Sequence, residues 1–541
     1  MPRTPLLRAL CELAQDHREA DRLGISPEQA RLSRRDFLRR SGAIGAVAIG
    51  GPALLSRPAR AATSSRIAIV GGGIAGLNAA LTLADSGIGS TVYEASSRLG
   101  GRMHSDSPLV YGGDNYLQGQ VAEYCGEFID SNHKTVLTLA QRFNLTADDV
   151  LHAQPNASTE TYYVLGGYYS YTQASNDFQP VHNILQGQVQ ATGYPTLYHS
   201  YTQAGYSFDH MSLHDWIAAY VPGGYGSQLG QVLDAAYNEE YGADTTDQSA
   251  LNLIYLLGYK AKPGNFQIYG ASDERFHIDG GNQQLPEAIA SHLTGTGLVS
   301  IKKNSRMNTI ARNSNGTVSL LFDGSSTPVI ADQVILCMSF SVLRTLNYSG
   351  AGFDSLKQTA ITQLGSGRNA KLQLQFDTRY WNQPGPWGIS NGDVYTDLGF
   401  QNAWDVTRAQ AGSNGILVNY TGGGAAGALH PSTPYSNAAT NPQVTTYAKA
   451  FLRQLETVFP GISAHWTGRA TLSTPFLDPN LYCSYSYWRV GQYTQFSGYE
   501  KAAQGAIHFA GEHCSQDFQG FMEGGAQEGA RAASEVLALA T

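Results

Sequence analysis

Residues 66–76 read RIAIVGGGIAG, a short apolar run followed directly by closely spaced glycines. The β-branched residues of 66–70 predict a buried strand, and alanine and leucine recur at helical spacing over 77–86. Residues 91–94 predict a second strand that ends in Glu94, whose carboxylate can accept hydrogen bonds from ribose hydroxyls. A strand, a glycine turn and a helix in this order predict an α/β fold with a Rossmann-like nucleotide-binding domain.

The positions of this glycine motif have separate physical roles in binding a dinucleotide. Gly71 allows the tight turn, Gly73 lets the backbone approach a pyrophosphate, and Gly76 lets the helix pack closely on the strand. The N–H groups at the start of the helix, at Ile74 and Ala75, present the positive end of the helix dipole to the phosphates. The motif therefore predicts a cofactor that contains a nucleotide.

The composition limits the partners of the chain. Of its 541 residues 42% are apolar and 14% are charged, and the formal net charge is −8. A disordered chain would be richer in charge and poorer in aromatic residues, so most of this chain is expected to fold. An acidic chain is unsuited to nucleic acid, because phosphate binding needs a basic surface. The cysteines show no metal-ligand spacing, and their pairing cannot be assigned from the sequence.

Residues 1–62 have the pattern of an export signal. The paired Arg34 and Arg35 precede an apolar run over 41–55 and small residues at 59–62. The arginine pair resembles the twin-arginine signal of bacterial exported proteins. The apolar run is shorter than the about 20 residues that span a bilayer. We therefore expect the twin-arginine export machinery as a partner, a periplasmic or extracellular location, and no stable membrane anchor.

The residues after Glu94 distinguish FAD from NAD. Residues 95–102 read ASSRLGGR, which resembles an extension found in the flavin-containing amine oxidase family, whose members include monoamine, polyamine and L-amino-acid oxidases. The resemblance covers most of residues 66–540 and implies FAD as the cofactor. It also implies FAD contacts within this extension, at Ala95, Arg98, Gly100, Gly101 and Arg102.

Other segments resemble the same family. Residues 123–130 resemble a strand and turn near the flavin, and residues 276–285 resemble the helix entry where the chain returns to the FAD domain. Met307 lies in a segment whose backbone would meet the adenine. These matches imply a discontinuous FAD-binding domain formed by residues 66–145, 270–340 and 490–541. Residues 146–269 and 341–489 would then form an inserted α+β substrate-binding domain.

The C-terminal motifs are the most specific. By the resemblance, Gly511 and Glu512 would meet the ribityl–phosphate arm of FAD. The helix after Gly520, with Phe521 and Met522 at its start, would direct its N-terminal N–H groups to the flavin.

Three residues are assigned catalytic roles by the resemblance. Lys371 matches a lysine that holds a water against the flavin, and Tyr493 and Phe521 match the two walls of an aromatic cage that holds the amine. Some monoamine oxidases carry a FAD-linked cysteine before the cage tyrosine, and Gln492 stands at that place here. We therefore expect FAD to be bound without a covalent bond, with Cys514 as a remote alternative attachment point.

The resemblance implies oxidation of the C–N bond of a primary amine or polyamine, with molecular oxygen as acceptor and hydrogen peroxide as product. Asp130, Glu239 and Glu240 are candidates to bind a distal cation of the substrate. An L-amino-acid oxidase would instead need an arginine for the substrate carboxylate, for which Arg489 is the candidate. A dehydrogenase that passes electrons to a protein, or a silent flavin-binding module, are further alternatives. The sequence does not indicate the oligomeric state.

Overall fold

The glycine motif begins a parallel sheet. A computed structural model describes residues 66–540 with the exception of 111, 112 and 114, so the predicted export signal lies outside the described residues. Five described strands pair in parallel. In spatial order they are Ile507–Phe509, Gln333–Leu336, Ile67–Val70, Ser90–Tyr93 and Val299–Lys302. The predicted α/β fold with a Rossmann-like sheet is confirmed, and the sheet is assembled from distant parts of the chain.

Both faces of this sheet are covered, which explains why its strands are apolar throughout. Ile67 and Ile69 pack against helices, whereas Ala68 and Val70 pack against a three-stranded sheet, because successive side chains of a strand point to opposite faces. The helices are Ile74–Asp85, Lys134–Arg142, Gln284–Gly295 and Met522–Ala540. The strands of the covering sheet are Met307–Arg312, Val318–Phe322 and Val329–Ala331.

A second large sheet supports the opposite wall of the site. Its eight described strands pair antiparallel with one exception, in which Thr159–Val164 and Ser390–Thr396 run parallel. In spatial order they are Tyr435–Asn437, Trp466–Ser473, Asn369–Phe376, Gly415–Gly422, Asn402–Asp405, Ser390–Thr396, Thr159–Val164 and Gly167–Tyr169.

The strand Asn369–Phe376 is buried along its whole length, although its alternating sequence would also suit a half-exposed strand. Its apolar side chains pack in a core shared with the helix Pro442–Val458. Its polar face is covered by the segment 115–127, where the Gln373 side chain donates to the carbonyl of Glu123. Lys371 lies on this polar face and is therefore buried between the two sheets.

Helices of the inserted region cover the far end of the second sheet. They are Tyr171–Thr192, Gln203–Asp209, Leu213–Tyr220, Gln228–Tyr241 and Ala250–Leu257. Each begins at a serine or threonine whose hydroxyl accepts a backbone N–H of the first turn, which stabilises the helix start.

Gly242 fixes the junction between the helix Gln228–Tyr241 and the second sheet. It ends the helix with a left-handed φ of 63°. A Cβ at this position would lie 2.2 Å from Oδ1 of Asn369, so the contact requires glycine. The Asn369 amide donates to the carbonyl of Glu239. This junction places Glu239 and Glu240 beside the strand that carries Lys371.

Short elements complete the fold. Paired short strands are Ser105–Asp106 with Ala122–Glu123, Ala147–Asp149 with Phe276–Ile278, and Gly365–Ser366 with Ser486–Tyr487. The remaining α-helices are Phe340–Leu343, Ser355–Gln363, Gly423–Gly427 and Gln492–Phe496. Single 3₁₀ turns are Leu117–Gly119, Gly224–Gly226, Tyr380–Asn382, Ile462–His465, Pro475–Leu477 and Glu512–Cys514. In the described ranges, none of the helices has both the length and the apolar character needed to cross a bilayer.

Candidate active site

A cavity of about 620 Å³ lies between the parallel sheet and the eight-stranded sheet. Its lining begins at Val70 and Tyr93, the last residues of two parallel strands, and reaches Lys371 and Tyr420 on the opposite sheet. Ligands of open α/β sheets bind at the carboxyl ends of the strands, which is where this cavity starts.

Most residues predicted to bind FAD line the cavity, and one does not. Those that line it are Gly71, Gly73, Ile74, Ala75, Glu94, Ala95, Arg98, Gly100, Gly101, Arg102, Met307, Gly511, Glu512, Phe521 and Met522. Gly76 is not in the described lining. A Cβ on Gly76 would lie 1.9 Å from the carbonyl oxygen of Gly71. Gly76 therefore serves the site by allowing the helix to pack on the turn, and not by touching a ligand.

The start of the helix Ile74–Asp85 fits a phosphate group. Its N-cap is Gly73, which offers no side chain to cap the helix, and its first turn contains no acidic residue. The first N–H groups of a helix need partners from outside the helix. Because Gly73, Ile74 and Ala75 line the cavity, a bound pyrophosphate would supply these partners.

Glu94 and Arg98 organise the nucleotide end of the cavity. One carboxylate oxygen of Glu94 accepts the N–H of Gly72 at 2.8 Å, and the other accepts the N–H of Ser96 at 2.8 Å. The Arg98 guanidinium donates to the carbonyl of Gly101 at 2.7 Å and to that of Leu99 at 3.0 Å. Both side chains therefore shape the loops of this end as well as line it.

Arg102 and Glu512 form an ion pair, with Nη1 of Arg102 2.7 Å from Oε1 of Glu512; the Glu512 side chain is buried and that of Arg102 is 24% exposed. Glu512 also accepts the hydroxyl of Ser486 at 2.7 Å and the N–H of Gly520 at 2.9 Å. Burial alone would raise the pKa of Glu512, but the charge of Arg102 and these hydrogen bonds outweigh it and hold the pKa below its ordinary value. Glu512 is therefore an anion that joins the segments 484–486 and 511–520.

The C-terminal helix has a structural acid that sequence reasoning missed. The Glu523 carboxylate accepts the N–H groups of Thr135 and Val136, each at 2.8 Å. These groups belong to the first turn of the helix Lys134–Arg142, which a negative charge stabilises. Glu523 therefore caps a neighbouring helix while Phe521 and Met522 line the cavity.

Lys371 is held by the carboxylate of Glu127, from the segment 115–127 that covers the polar face of its strand. Its Nζ lies 2.7 Å from Oε2 of Glu127, and the indole of Trp404 donates to Oε1 of the same carboxylate at 2.9 Å. The Lys371 ammonium also lies 5.2 Å from the Trp404 ring and 5.9 Å from the Tyr420 ring, within range of a cation–π interaction. The sequence indicates Glu127 only as part of the segment 123–130 and does not indicate Trp404, because no local pattern pairs residues so far apart in sequence.

Tyr493 does not lie where the resemblance places it. In the described structure it is absent from the cavity lining; its ring packs 4.9 Å from that of Trp488 and its hydroxyl donates to Oδ1 of Asn252 at 3.0 Å. Tyr485 lines the cavity instead, 3.7 Å from where a Cβ of Gly520 would be, next to Phe521. Among the described residues, Tyr485 and Phe521 both line the cavity, and Tyr493 does not.

With Tyr485 in place of Tyr493, the residue that corresponds to the FAD-linked cysteine of some monoamine oxidases is no longer Gln492. Gln492 lies away from the cavity lining, with its side-chain amide donating to the carbonyl of Gln363 at 2.6 Å. The residue before Tyr485 is Ser484, which carries no thiol. Cys483 and Cys514 are buried outside the described lining, and the four cysteines in the described part of the chain are unpaired.

The end of the cavity away from the glycine motif is acidic. We call this region the acidic end and define it by five carboxylates that line the cavity: Asp130, Glu239, Glu240, Glu274 and Asp393. All three candidates for binding a distal cation are in this set, and Glu274 and Asp393 are additions that the sequence did not suggest. Tyrosine rings of Tyr241, Tyr269, Tyr395 and Tyr420 line the same region.

Burial perturbs these carboxylates strongly. It raises the pKa of Glu240 to about 8, and burial together with the nearby charge of Glu240 raises the pKa of Glu239 and Glu274 well above the ordinary range. The Asp130 carboxylate is used within the fold, since it accepts the N–H of Glu274 at 2.9 Å and the hydroxyl of Ser272 at 2.7 Å. Glu274 itself has a left-handed φ of 42°, an unfavourable conformation that is typical of functional sites.

The arginines near the site do not offer a free guanidinium to a carboxylate. Arg489 is outside the described lining and pairs with Asp247 at 3.2 Å, with both side chains about half exposed. Arg408 pairs with Asp393 at 3.1 Å and is also outside that lining. The described arginines that do line the cavity are Arg98, Arg102 and Arg306, and Arg306 donates to the carbonyl of Pro479 at 3.0 Å.

Comparisons with known proteins agree with this geometry. The sequence model of the family described as flavin containing amine oxidoreductase matches residues 74–537. The chain is 23% identical to an L-amino-acid oxidase of Siganus canaliculatus, over 88% of this chain and 85% of that protein. It is 24% identical to polyamine oxidase 4 of Oryza sativa subsp. japonica, over 90% of this chain and 91% of that protein.

Solved structures share the fold. Cyclohexylamine oxidase from Brevibacterium oxydans IH-35A superposes with a TM-score of 0.73 at 19% identity, covering 88% of this chain and 99% of that chain. Wild-type putrescine oxidase bound to putrescine superposes with a TM-score of 0.71 at 17% identity, with the same coverage.

Proposed function

The chain belongs to the flavin-containing amine oxidoreductase family, and from this premise we propose that it oxidises an amine that carries a second cationic group, such as a diamine or polyamine. FAD, when bound, accepts the two electrons removed from the C–N bond. Loss of these electrons converts the amine to an imine, which water hydrolyses to an aldehyde and ammonia or an amine. Oxygen, the acceptor in this proposal, takes up the two electrons with two protons and is released as hydrogen peroxide.

The acidic end is the observation that carries the proposal. Its carboxylates line the cavity, and among the described residues neither Glu240 nor Glu274 forms an ion pair, although the charge of Arg408, the partner of Asp393, acts on Glu274. Buried carboxylates without a counter-charge are costly, which is why their pKa values are raised. A substrate ammonium placed there would supply a counter-charge and lower the pKa values of these carboxyl groups.

The other residues of the site would orient the reacting amine. The rings of Tyr485 and Phe521 present faces that favour an amine nitrogen as it enters. Tyr485 is fixed by hydrogen bonds of its hydroxyl to the hydroxyl of Tyr420 at 2.9 Å and to the backbone of Glu240. The start of the helix Met522–Ala540 and the Arg102–Glu512 pair would hold the FAD, without a covalent bond in this proposal because the position before Tyr485 is a serine.

L-amino-acid oxidation is the second candidate, and the 23% identity to the oxidase of Siganus canaliculatus favours it. Such an enzyme needs a guanidinium or similar group for the substrate carboxylate. The arginine proposed for this purpose, Arg489, lies outside the described cavity lining. A carboxylate would also be repelled by the acidic end, so we rank this candidate second.

A peroxide assay on the purified yellow protein tests the proposal. We expect putrescine to release hydrogen peroxide with a kcat/KM at least tenfold above that of butylamine, and L-leucine to release none. Equal values for putrescine and butylamine would remove the role of the acidic end, and a preference for L-leucine would establish the second candidate. Flavin bleaching by putrescine in the absence of oxygen, without peroxide in air, would indicate a dehydrogenase.

Two variants test the residues. Glu240→Gln and Glu274→Gln are each expected to raise KM for putrescine about tenfold, because a hydrogen bond between charged groups contributes about 1.5–3 kcal/mol, and to leave KM for butylamine within twofold. Glu287→Gln is the matched control, since this acid is in the first turn of the helix Gln284–Gly295, outside the described cavity lining. If both variants raise KM equally for the two amines, the distal cation does not bind there.

Export by the twin-arginine route is also part of the proposal, supported by the arginine pair and apolar run of residues 33–62. Replacing Arg34 and Arg35 together by lysine is expected to retain the full-length protein in the cytoplasm of a bacterial host, measured by cell fractionation. Unchanged export of the double variant would contradict this route.

A further inference from the structure

We propose that Glu127 is the positioning residue of the site, which holds the Lys371 ammonium at one place in the cavity. The proposal rests on the proposed function only for the role of Lys371 in turnover. Glu127 comes from the segment after the short strand Ala122–Glu123, whereas Lys371 belongs to the eight-stranded sheet. The pair therefore joins this segment to the sheet, and both side chains line the cavity.

The geometry of the carboxylate supports this role. Its two oxygens have separate partners: Oε2 accepts the Lys371 ammonium at 2.7 Å and Oε1 accepts the Trp404 indole at 2.9 Å. A carboxylate held at both oxygens cannot rotate without losing one bond, so it specifies where the ammonium lies. The Phe128 ring packs 5.6 Å from the Trp404 ring and keeps the indole in place.

Because the pair is buried, loss of Glu127 is expected to have a large effect on Lys371. The side chains of Lys371 and Glu127 are 6% and 4% exposed. A buried ammonium that loses its counter-charge is driven toward the neutral amine, since desolvation disfavours the charged form. Within the described part of the chain, Glu127 is the one carboxylate that accepts a hydrogen bond from the Lys371 ammonium, so the neighbouring acids of the cavity do not replace it.

Chemical modification of Lys371 in the apoprotein tests the proposal without any turnover. Cyanate is small enough to enter the cavity and carbamylates only the neutral amine, and peptide mass spectrometry measures the rate at each lysine. In Glu127→Gln we expect Lys371 to react at least tenfold faster than in the wild type at the same pH, relative to the exposed Lys449 as internal reference. This corresponds to a shift of at least one pH unit in the reactivity profile.

Two further variants distinguish loss of the Glu127–Lys371 pair from a general change in cavity charge and from misfolding. Glu240→Gln removes a carboxylate of the same cavity that does not bind Lys371, and it is expected to change the Lys371 rate less than twofold. If Glu127→Gln does not fold, the double variant Glu127→Gln/Lys371→Met is expected to fold, because removing both partners leaves no buried charge unpaired. A double variant that also fails to fold would overturn the proposal.

The FAD-loaded enzyme supplies a second readout. In Glu127→Gln the alkaline limb of the pH profile of turnover is expected to move to lower pH by at least one unit, and Glu127→Asp is expected to recover part of this shift. Equal carbamylation rates of Lys371 in Glu127→Gln and Glu240→Gln would overturn the proposal, whichever amine the enzyme oxidises.

Discussion

The two ends of the cavity are built in different ways. The nucleotide end consists of backbone N–H groups and glycines from continuous motifs, around residues 71–76, 98–102 and 511–522. The acidic end consists of side chains from four separate segments, and Gly242 brings one of them, the end of the helix Gln228–Tyr241, against the strand Asn369–Phe376. Backbone sites depend on close approach and tolerate no added atoms, whereas side-chain sites depend on charge and can be changed residue by residue.

The largest effect is expected at Gly76. Gly76→Ala places a Cβ 1.9 Å from the carbonyl oxygen of Gly71, so the helix cannot remain packed on the turn. We expect complete loss of bound FAD, measured as flavin absorbance per mole of purified protein. Gly295→Ala is the control, because a Cβ there meets nothing within 4 Å and should leave the flavin content unchanged. Full flavin content in Gly76→Ala would show that the nucleotide end tolerates added atoms.

The second-largest effect is expected for the Arg102–Glu512 pair. Arg102→Met leaves the buried Glu512 carboxylate without its partner and is expected to lower the free energy of unfolding at neutral pH by about 3 kcal/mol. Because Arg102 holds the pKa of Glu512 below its ordinary value, the stabilising contribution is present above about pH 4.3 and is lost as the pH falls through the lower folded value. Denaturant unfolding at neutral and at acid pH measures the loss of unfolding free energy and its dependence on pH.

A matched control exists for this pair. Arg275→Met breaks the pair with Asp149, in which the arginine side chain is 43% exposed, and such exposed pairs contribute about 0–1 kcal/mol. Similar losses in Arg102→Met and Arg275→Met would mean that burial does not distinguish the two pairs.

The two tyrosines provide the third comparison. Tyr485→Ala is expected to lower kcat/KM for putrescine at least tenfold, which corresponds to about 1.4 kcal/mol in the barrier, because it removes one ring of the cavity. Tyr493→Phe removes only the hydrogen bond to Asn252 and is expected to change kcat/KM less than twofold. The reverse ranking would restore Tyr493 to the cage and contradict the placement of Tyr485.

The smallest effect is a difference in pH dependence between two amines. Burial raises the pKa of Glu240 to about 8, so below that pH a distal ammonium binds more weakly, because its binding must also drive the proton off this carboxyl group. We expect the ratio of kcat/KM for putrescine to that for butylamine to rise several-fold from pH 7 to pH 9. In Glu240→Gln the ratio should be flat over this range, and a rise that persists there would assign the titration to another group.

Prediction succeeded where one continuous segment carries the information. Residues 66–94 predict the strand, turn and helix, and the extension 95–102 predicts the lining of the nucleotide end, because a turn and the helix that follows it are local. Tyr493 was placed wrongly because two aromatic residues, eight positions apart in one chain segment, both suit a cage by type. Only their burial environments distinguish them, since Tyr493 packs in a core with Trp488 and Tyr255.

The acidic end shows the same limit of prediction from sequence. Glu239 and Glu240 were candidates as a pair of adjacent acids in a region otherwise rich in Tyr, Gln, Ser and Gly, but Glu274 and Asp393 look like ordinary loop and strand acids. Their shared location follows from sheet order and from the left-handed residues Gly242 and Glu274. Charge repulsion among them accumulates only after folding has removed the water between them.

The amino-acid order thus specified the cofactor class, the parallel sheet and the backbone that meets the nucleotide, since these depend on spacing within short segments. The partner of Lys371, the identity of the second aromatic wall and the composition of the acidic end emerged from folding. They depend on contacts across hundreds of residues, such as the one between Glu127 and Lys371, for which no local periodicity exists.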